Sequence, residues 1–433
     1  MNKFIIRGRI LSFNRAPTSL NDGESYYYDE DGALIINNGL IEDIGNFTEL
    51  KKKITKDDLT IDHRPNLILP GFIDPHLHFS QIQVIASYAS NLIEWLEKYT
   101  FLEEQRFKDI DYAKKIAKSF FDQLINNGTT TAASFCTIHP ESVESFFEES
   151  SRRNMLMIGG KIMMDRNAPV GLLDTAQKGY DESKSLINKW HGRGRQLYAI
   201  SPRFAITSSN EQLEITKTLL KEHPECYLQT HLSENMEEIK LVKKLFPNCK
   251  DYTDIYDKYN LLGSKSLFGH CIHLSEREIE LISQSRSIAI FCPTSNLFLG
   301  SGLYKLQNLT NKNSLRTALA TDIGGGTSFS MLKTMDEAYK VLQLQNQRFT
   351  PLNSFYQSTL GNAKALSLEK KIGSLEVGTD ADLIILSSKA TSAMKTRMER
   401  VVNLSEELFV LQTMGDDRSV LQVYIKGVPS KKI

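Results

Sequence analysis

The chain has 433 residues, 41% hydrophobic and 24% charged, with 52 Lys+Arg balanced by 52 Asp+Glu; it is long enough for one large or two ordinary globular domains. That balance excludes a basic nucleic-acid surface and a polybasic membrane patch, and no apolar run approaches the ~18 residues of a membrane span. Five scattered cysteines (Cys136, Cys226, Cys249, Cys271, Cys292) exclude a disulfide framework, and the odd count fits a reducing, cytoplasmic setting.

In chain order, residues 1–66 read as short strands: KFIIRGRILSF, broken by Arg7 and Arg9 and so unlike a secretory segment, then GALIINNGLIEDIG with a turn at Asn37-Asn38-Gly39. Eight β-rich apolar runs follow, each ending in a loop: LILPGFIDPHLH (67–78), TTTAASF (129–135), MLMIGGKIMM (155–164), LYAISPRF (197–204), CYLQTHLSE (226–234), SLFGHCIHL (266–274), SIAIFCPTSN (287–296) and LRTALATDIGG (315–325). Helical patterns lie between them. Residues 111–128 have helical spacing and a Gly128 stop; residues 208–224 have an acidic first turn and a closing Pro; residues 275–286 open on a Ser275/Glu278 capping box. Eight strand–helix units predict a closed (β/α)8 TIM-like barrel over 67–372. The C-terminal runs SLEVGTDADLIILS and VLQVYIKG are again β-rich. The two ends, 1–66 and 373–433, are therefore expected to meet in one small β-sandwich.

Six side chains fit for metal or proton chemistry sit at the ends of four of these runs: His76 and His78, His231 and Glu234, His270, and Asp322. In a closed barrel all eight strand ends open onto one mouth, so these distant residues converge there. His-x-His alone is a weak signal, and Asp before glycines is an ordinary turn. A common register at strand ends makes a shared metal site the stronger reading. His63, His139, His191, His223 and His273 fall in loops, at helix ends or off register and are read as ordinary polar residues. Imidazoles plus one carboxylate suit Zn²⁺ or Fe²⁺, with His76, His78, His231 and Asp322 as the ligand set. A water beside such an ion loses its proton near neutrality. Asp322 can take that proton, and His270 either polarises the water or ligates the ion. Glu234, three residues after His231, is the proton shuttle for hydrolysis at an electrophilic carbon. The glycines 324–326 lack the Lys-Ser/Thr of a phosphate loop and are read as letting backbone approach the pocket.

HLH after strand one, His231, His270 and Asp322 after strands five, six and eight, and the SLEVGTDADLIIL segment resemble the amidohydrolase superfamily over nearly the whole chain. HLSE resembles its metal-dependent deaminase branch. Strand four ends in SPRF without the lysine of binuclear members, so the resemblance implies one metal. HFSQ (78–81), NLIEWLEKYTFLEEQRF (91–107), SPRFAIT (201–207), HLSEN (231–235), CPTSNLFLGSG (292–302) and TDIGGGTSFSML (321–332) resemble the guanine-deaminating family. That likeness implies guanine plus water giving xanthine and ammonia, one zinc or iron ion, and a homodimer. It implies metal-site roles for His76, His78, His231, His270 and Asp322, and Glu234 as shuttle. It also implies substrate contacts by Gln81, Arg203, Phe204, His231, Glu234 and Asp322. Arg203 suits the purine O6 and Gln81 can both donate and accept. Phe204 either covers the ring or packs in the core; the same choice holds for Trp95 and Phe101. Two alternatives are a superfamily hydrolase of another ring (a triazine, a pterin or an oxidised purine), separable by a substrate panel, and a non-catalytic scaffold, separable by metal content.

Overall fold

The computed structural model describes residues 3–20, 22–55, 58–306 and 315–432. Eight strands form the barrel: β5 (Phe72–His78), β6 (Thr129–Phe135), β7 (Leu156–Gly160), β9 (Gln196–Pro202), β10 (Tyr227–Leu232), β11 (Ser266–His270), β12 (Ile288–Phe291) and β13 (Arg316–Leu319). Neighbours pair parallel in that order. β8 (Ile162–Met163) is a short extra strand on β9. The last gap closes just past β13, where the Asp322 N–H donates to the His76 carbonyl at 3.0 Å and the His78 N–H to that of Ile323.

Adjacent strand residues alternate between two apolar clusters, as the pleat requires. Leu156, Ile158, Ala199, Ile288 and Ile290 join one cluster, with Ala363, Leu366 and Ile372. Met157, Tyr198, Ile200, Ala289 and Phe291 join the other, with helix residues such as Ile116 and Phe120. The predicted helices form over Ile110–Asn126, Asn210–Glu222 and Glu276–Gln284. Asp109 and Ser209 cap the first two, and Ser275 and Glu278 make the predicted capping box. Among the described residues no helix is long and apolar enough to cross a membrane.

The two ends meet in one seven-stranded mixed sheet, order β16–β15–β14–β4–β1–β2–β3. Its strands are β1 (Phe4–Phe13), β2 (Tyr26–Asn37), β3 (Leu40–Asn46), β4 (Leu59–Pro70), β14 (Leu383–Leu386), β15 (Val420–Ile425) and β16 (Val428–Pro429). The run expected as one strand over 67–78 is two. Leu67–Pro70 end β4 in this sheet, and β5 starts the barrel at Phe72. Gly71 makes the crossing: a Cβ there would lie 2.1 Å from Thr130 Oγ1. The run over 155–164 likewise breaks at Lys161, whose ammonium is buried against Asp174.

Candidate active site

Alternation along β5 puts Asp74, His76 and His78 on one face, all buried. His231 comes from β10, Glu234 from the turn after it, His270 from the end of β11, and Asp322 from just beyond β13. His270 (φ +72°) and Asp322 (φ +53°) hold left-handed backbone, which non-glycine residues rarely adopt and which clusters at functional sites.

The six converge as expected. His78 Nε2 and His231 Nε2 are 3.2 Å apart, and Asp322 Oδ1 lies 3.4 Å from His76 Nε2 and 3.6 Å from His78 Nε2. His270 Nε2 is 3.4 Å from Glu234 Oε2 and 3.7 Å from Asp322 Oδ2. Ligand atoms of His76, His78 and His231, and of His76, His270 and Asp322, form two groups, each within 4.8 Å.

This cluster fits a cation. The His231 Nδ1 faces the Arg203 carbonyl at 2.7 Å. A carbonyl only accepts, so Nδ1 carries the hydrogen and Nε2 presents a lone pair. That lone pair points at His78 Nε2, and His76 Nε2 is buried without a hydrogen-bond partner. A buried ring nitrogen without a partner costs energy, and a cation held among these nitrogens would satisfy it. Edges of 3.2–3.6 Å match a tetrahedron with bonds of about 2.1 Å, those of zinc to nitrogen and oxygen.

The protonation pattern suits the same task. Burial pushes the imidazoles of His76, His78 and His231 below their usual pKa, keeping them neutral. Burial alone would raise Asp322, but His76 and the charge of His270 hold it well below the usual carboxylate range. Burial disfavours charge on His270, yet Glu234 and Asp322 raise it. Burial raises the Glu234 carboxyl to about 7, so it keeps a proton into the neutral range. Ser301 Oγ donates to its Oε1 at 3.0 Å.

Beside the cluster lies a cleft lined by Gln81, Leu92, Trp95, Leu96, Arg203, Phe204, Leu299 and Gly325. About 400 Å³ in the cleft and its mouth is free of protein atoms. The space is a narrow slot. Phe204 and Trp95 are slot walls, and Phe101 packs under the Arg203 guanidinium at 5.4 Å. Gly324 passes close to Gln81, whose backbone carbonyl a Cβ there would meet at 2.5 Å, and Gly325 lines the slot.

Three residues escaped the sequence reading. Asp74 holds the Thr321 N–H at 3.1 Å, tying β5 to the residue before Asp322; alternation with His76 was a signal for it. Glu104 is fully buried between Gln81 and Arg203. Ser301 orients Glu234. His63, His139, His191, His223 and His273 lie outside the cluster. His191 does gather with Glu225 and Cys226, but its Nδ1 already accepts the Tyr198 N–H at 3.0 Å.

Comparison with known proteins agrees with this geometry. The profile described as "Amidohydrolase family" matches residues 67–429. A guanine deaminase of Escherichia coli (strain K12) is 44% identical, covering 98% of this chain and 96% of its own. The solved structure of E. coli guanine deaminase superposes with TM-score 0.95 at 43% identity, over 99% of each chain. A guanine deaminase from C. acetobutylicum, solved with bound guanine in its active site, superposes with TM-score 0.88 at 29% identity, over 99% of this chain and 100% of its own.

Proposed function

The chain belongs to the amidohydrolase family, and we infer that it is a guanine deaminase, converting guanine and water to xanthine and ammonia. The observation that carries the substrate is a buried guanidinium and a buried amide, Arg203 and Gln81, on a narrow slot beside the histidine–aspartate cluster.

In this reading His76, His78, His231 and Asp322 hold one divalent cation, zinc or iron, with His270 beside it or as a further ligand. A cation bound there supplies a Lewis acid that makes water acidic near neutral pH. Arg203 donates to the guanine O6, Gln81 donates and accepts along the purine edge, and Phe204 covers a ring face. Water adds across C2 and N3. Asp322 accepts its first proton, and Glu234 delivers a proton to N3, where charge builds up. The new hydroxyl then loses its proton through the same carboxylates to the amino group, which leaves as ammonia. The apolar walls Leu92, Leu96 and Leu299 exclude bulk water from these transfers.

The same reading takes zinc as the resident ion, one per subunit, and supplies the finer terms: a homodimer, a cytoplasmic setting supported by five free cysteines, and a composite small domain of 1–70 with 373–433 beside the barrel of 71–372, the expected boundary at 66/67 moving to Gly71 because Leu67–Pro70 pair in the small sheet. The test is direct. Zinc-loaded protein and micromolar guanine should give the ultraviolet change of xanthine formation with one ammonia per guanine. Turnover of a pterin or triazine in preference to guanine would overturn it.

A further inference from the structure

Glu104 ends the short helix Phe101–Glu104 and is fully buried. Its Oε1 accepts from the Gln81 side-chain amide at 2.9 Å, and its Oε2 from Arg203 Nη1 at 2.6 Å. Gln81 and Arg203 line the slot; Glu104 stands behind them. A buried guanidinium facing a ligand cavity is ordinarily an anion receptor. Here a carboxylate at its back matches the charge. That carboxylate can only accept, so it draws the NH₂ of Gln81 toward itself, while the Gly324 N–H faces Gln81 Oε1 at 3.3 Å. The amide therefore has one orientation.

We propose that Glu104 is a positioning residue that sets the selectivity of the slot. By matching the charge of Arg203 and fixing the amide of Gln81, it admits a neutral purine and turns away an anionic one. The inference rests on the guanine reading and deepens it. Guanine is neutral near pH 7, whereas xanthine is the stronger acid. A charge-matched Arg203 holds substrate and gives a deprotonated product no added grip.

The experiment compares Glu104→Gln with the unsubstituted zinc-loaded enzyme at neutral pH, using two competitive inhibitors: hypoxanthine, which is neutral there, and urate, an anion. Guanine turnover by the unsubstituted protein is measured first, so a wrong substrate shows there and a wrong role for Glu104 only in the variant. The amide at 104 can accept from only one of its two partners and leaves Arg203 uncompensated. KM for guanine should rise about tenfold or more, with kcat changed far less and zinc content unchanged. The ratio of urate to hypoxanthine inhibition constants should fall at least about tenfold. A merely structural role would weaken both purines alike. That outcome, or an unchanged ratio, overturns the proposal. Glu104→Asp keeps the charge with a shorter reach and carries the test should E104Q not fold. It should raise the guanine KM and keep the unsubstituted enzyme's ratio; a ratio shifted toward urate in E104D overturns the proposal.

Discussion

Replacing Glu234 by glutamine removes the ionisable proton while nearly keeping the size and shape of the side chain. Oε1 would still accept from Ser301 Oγ at 3.0 Å, and the new NH₂ would stand where Oε2 now faces His270 at 3.4 Å. Neither group of clustered ligand atoms includes Glu234, so the cation should stay. On the proposed mechanism the missing function is proton delivery to N3 and to the departing amine. A positioned acid–base group contributes about a hundred- to ten-thousandfold, so kcat should fall by that factor, about 3–5 kcal/mol in activation energy. KM should move only a few-fold, because Arg203 and Gln81 still hold the ring. Ammonia release and the ultraviolet change give kcat and KM, and elemental analysis of the same sample gives zinc per chain. A variant with near-normal kcat would refute the shuttle role. A variant whose activity and zinc fall together would show instead that Glu234 belongs to the ligand set.

Arg203→Ala should raise the guanine KM at least about tenfold while zinc stays bound. It also leaves the buried Glu104 carboxylate without its ion pair, a change that costs about 3–5 kcal/mol, so its melting temperature should fall; unchanged kinetics would point to another substrate. His76→Ala removes the residue common to both ligand groups, so zinc content should drop well below one per chain. Chelation of the unsubstituted protein should abolish turnover and added zinc restore it; full activity after chelation would exclude a cation role. Gly71→Ala would press a methyl against Thr130 at the crossing from sheet to barrel and should cost about 2–3 kcal/mol in denaturant unfolding; no loss would mean that Thr130 moves freely.

The chemistry was more legible than the joints. His76, His78, His231, His270 and Asp322 stood out because each ends an apolar run, and strand alternation carries that register into space. The Ser275/Glu278 capping box was legible because it is local. Glu104 was not. In TFLEEQRF it sits beside Glu103 and resembles any solvated acidic turn; only the fold brings Arg203, ninety-nine positions later, against it. The split at Gly71 was hidden for a related reason. Leu67–Leu69 and Phe72–Ile73 are equally apolar, and what separates them is crowding by Thr130, a residue from another strand. Periodicity reports which face is buried but not which neighbour buries it.

The position of β4 bears on how the polypeptide is made. Its residues Leu67–Pro70 pair with β14, which lies beyond the entire barrel in the chain. A ribosome adding about 5–20 residues per second must synthesise residues 71–382 before that partner emerges, roughly 15–60 s by the same rates. Throughout that interval the nascent protein carries an open, leucine-rich strand edge, the kind of surface that recruits other chains. The order of the strands thus leaves that edge without its partner until Leu383–Leu386 arrive.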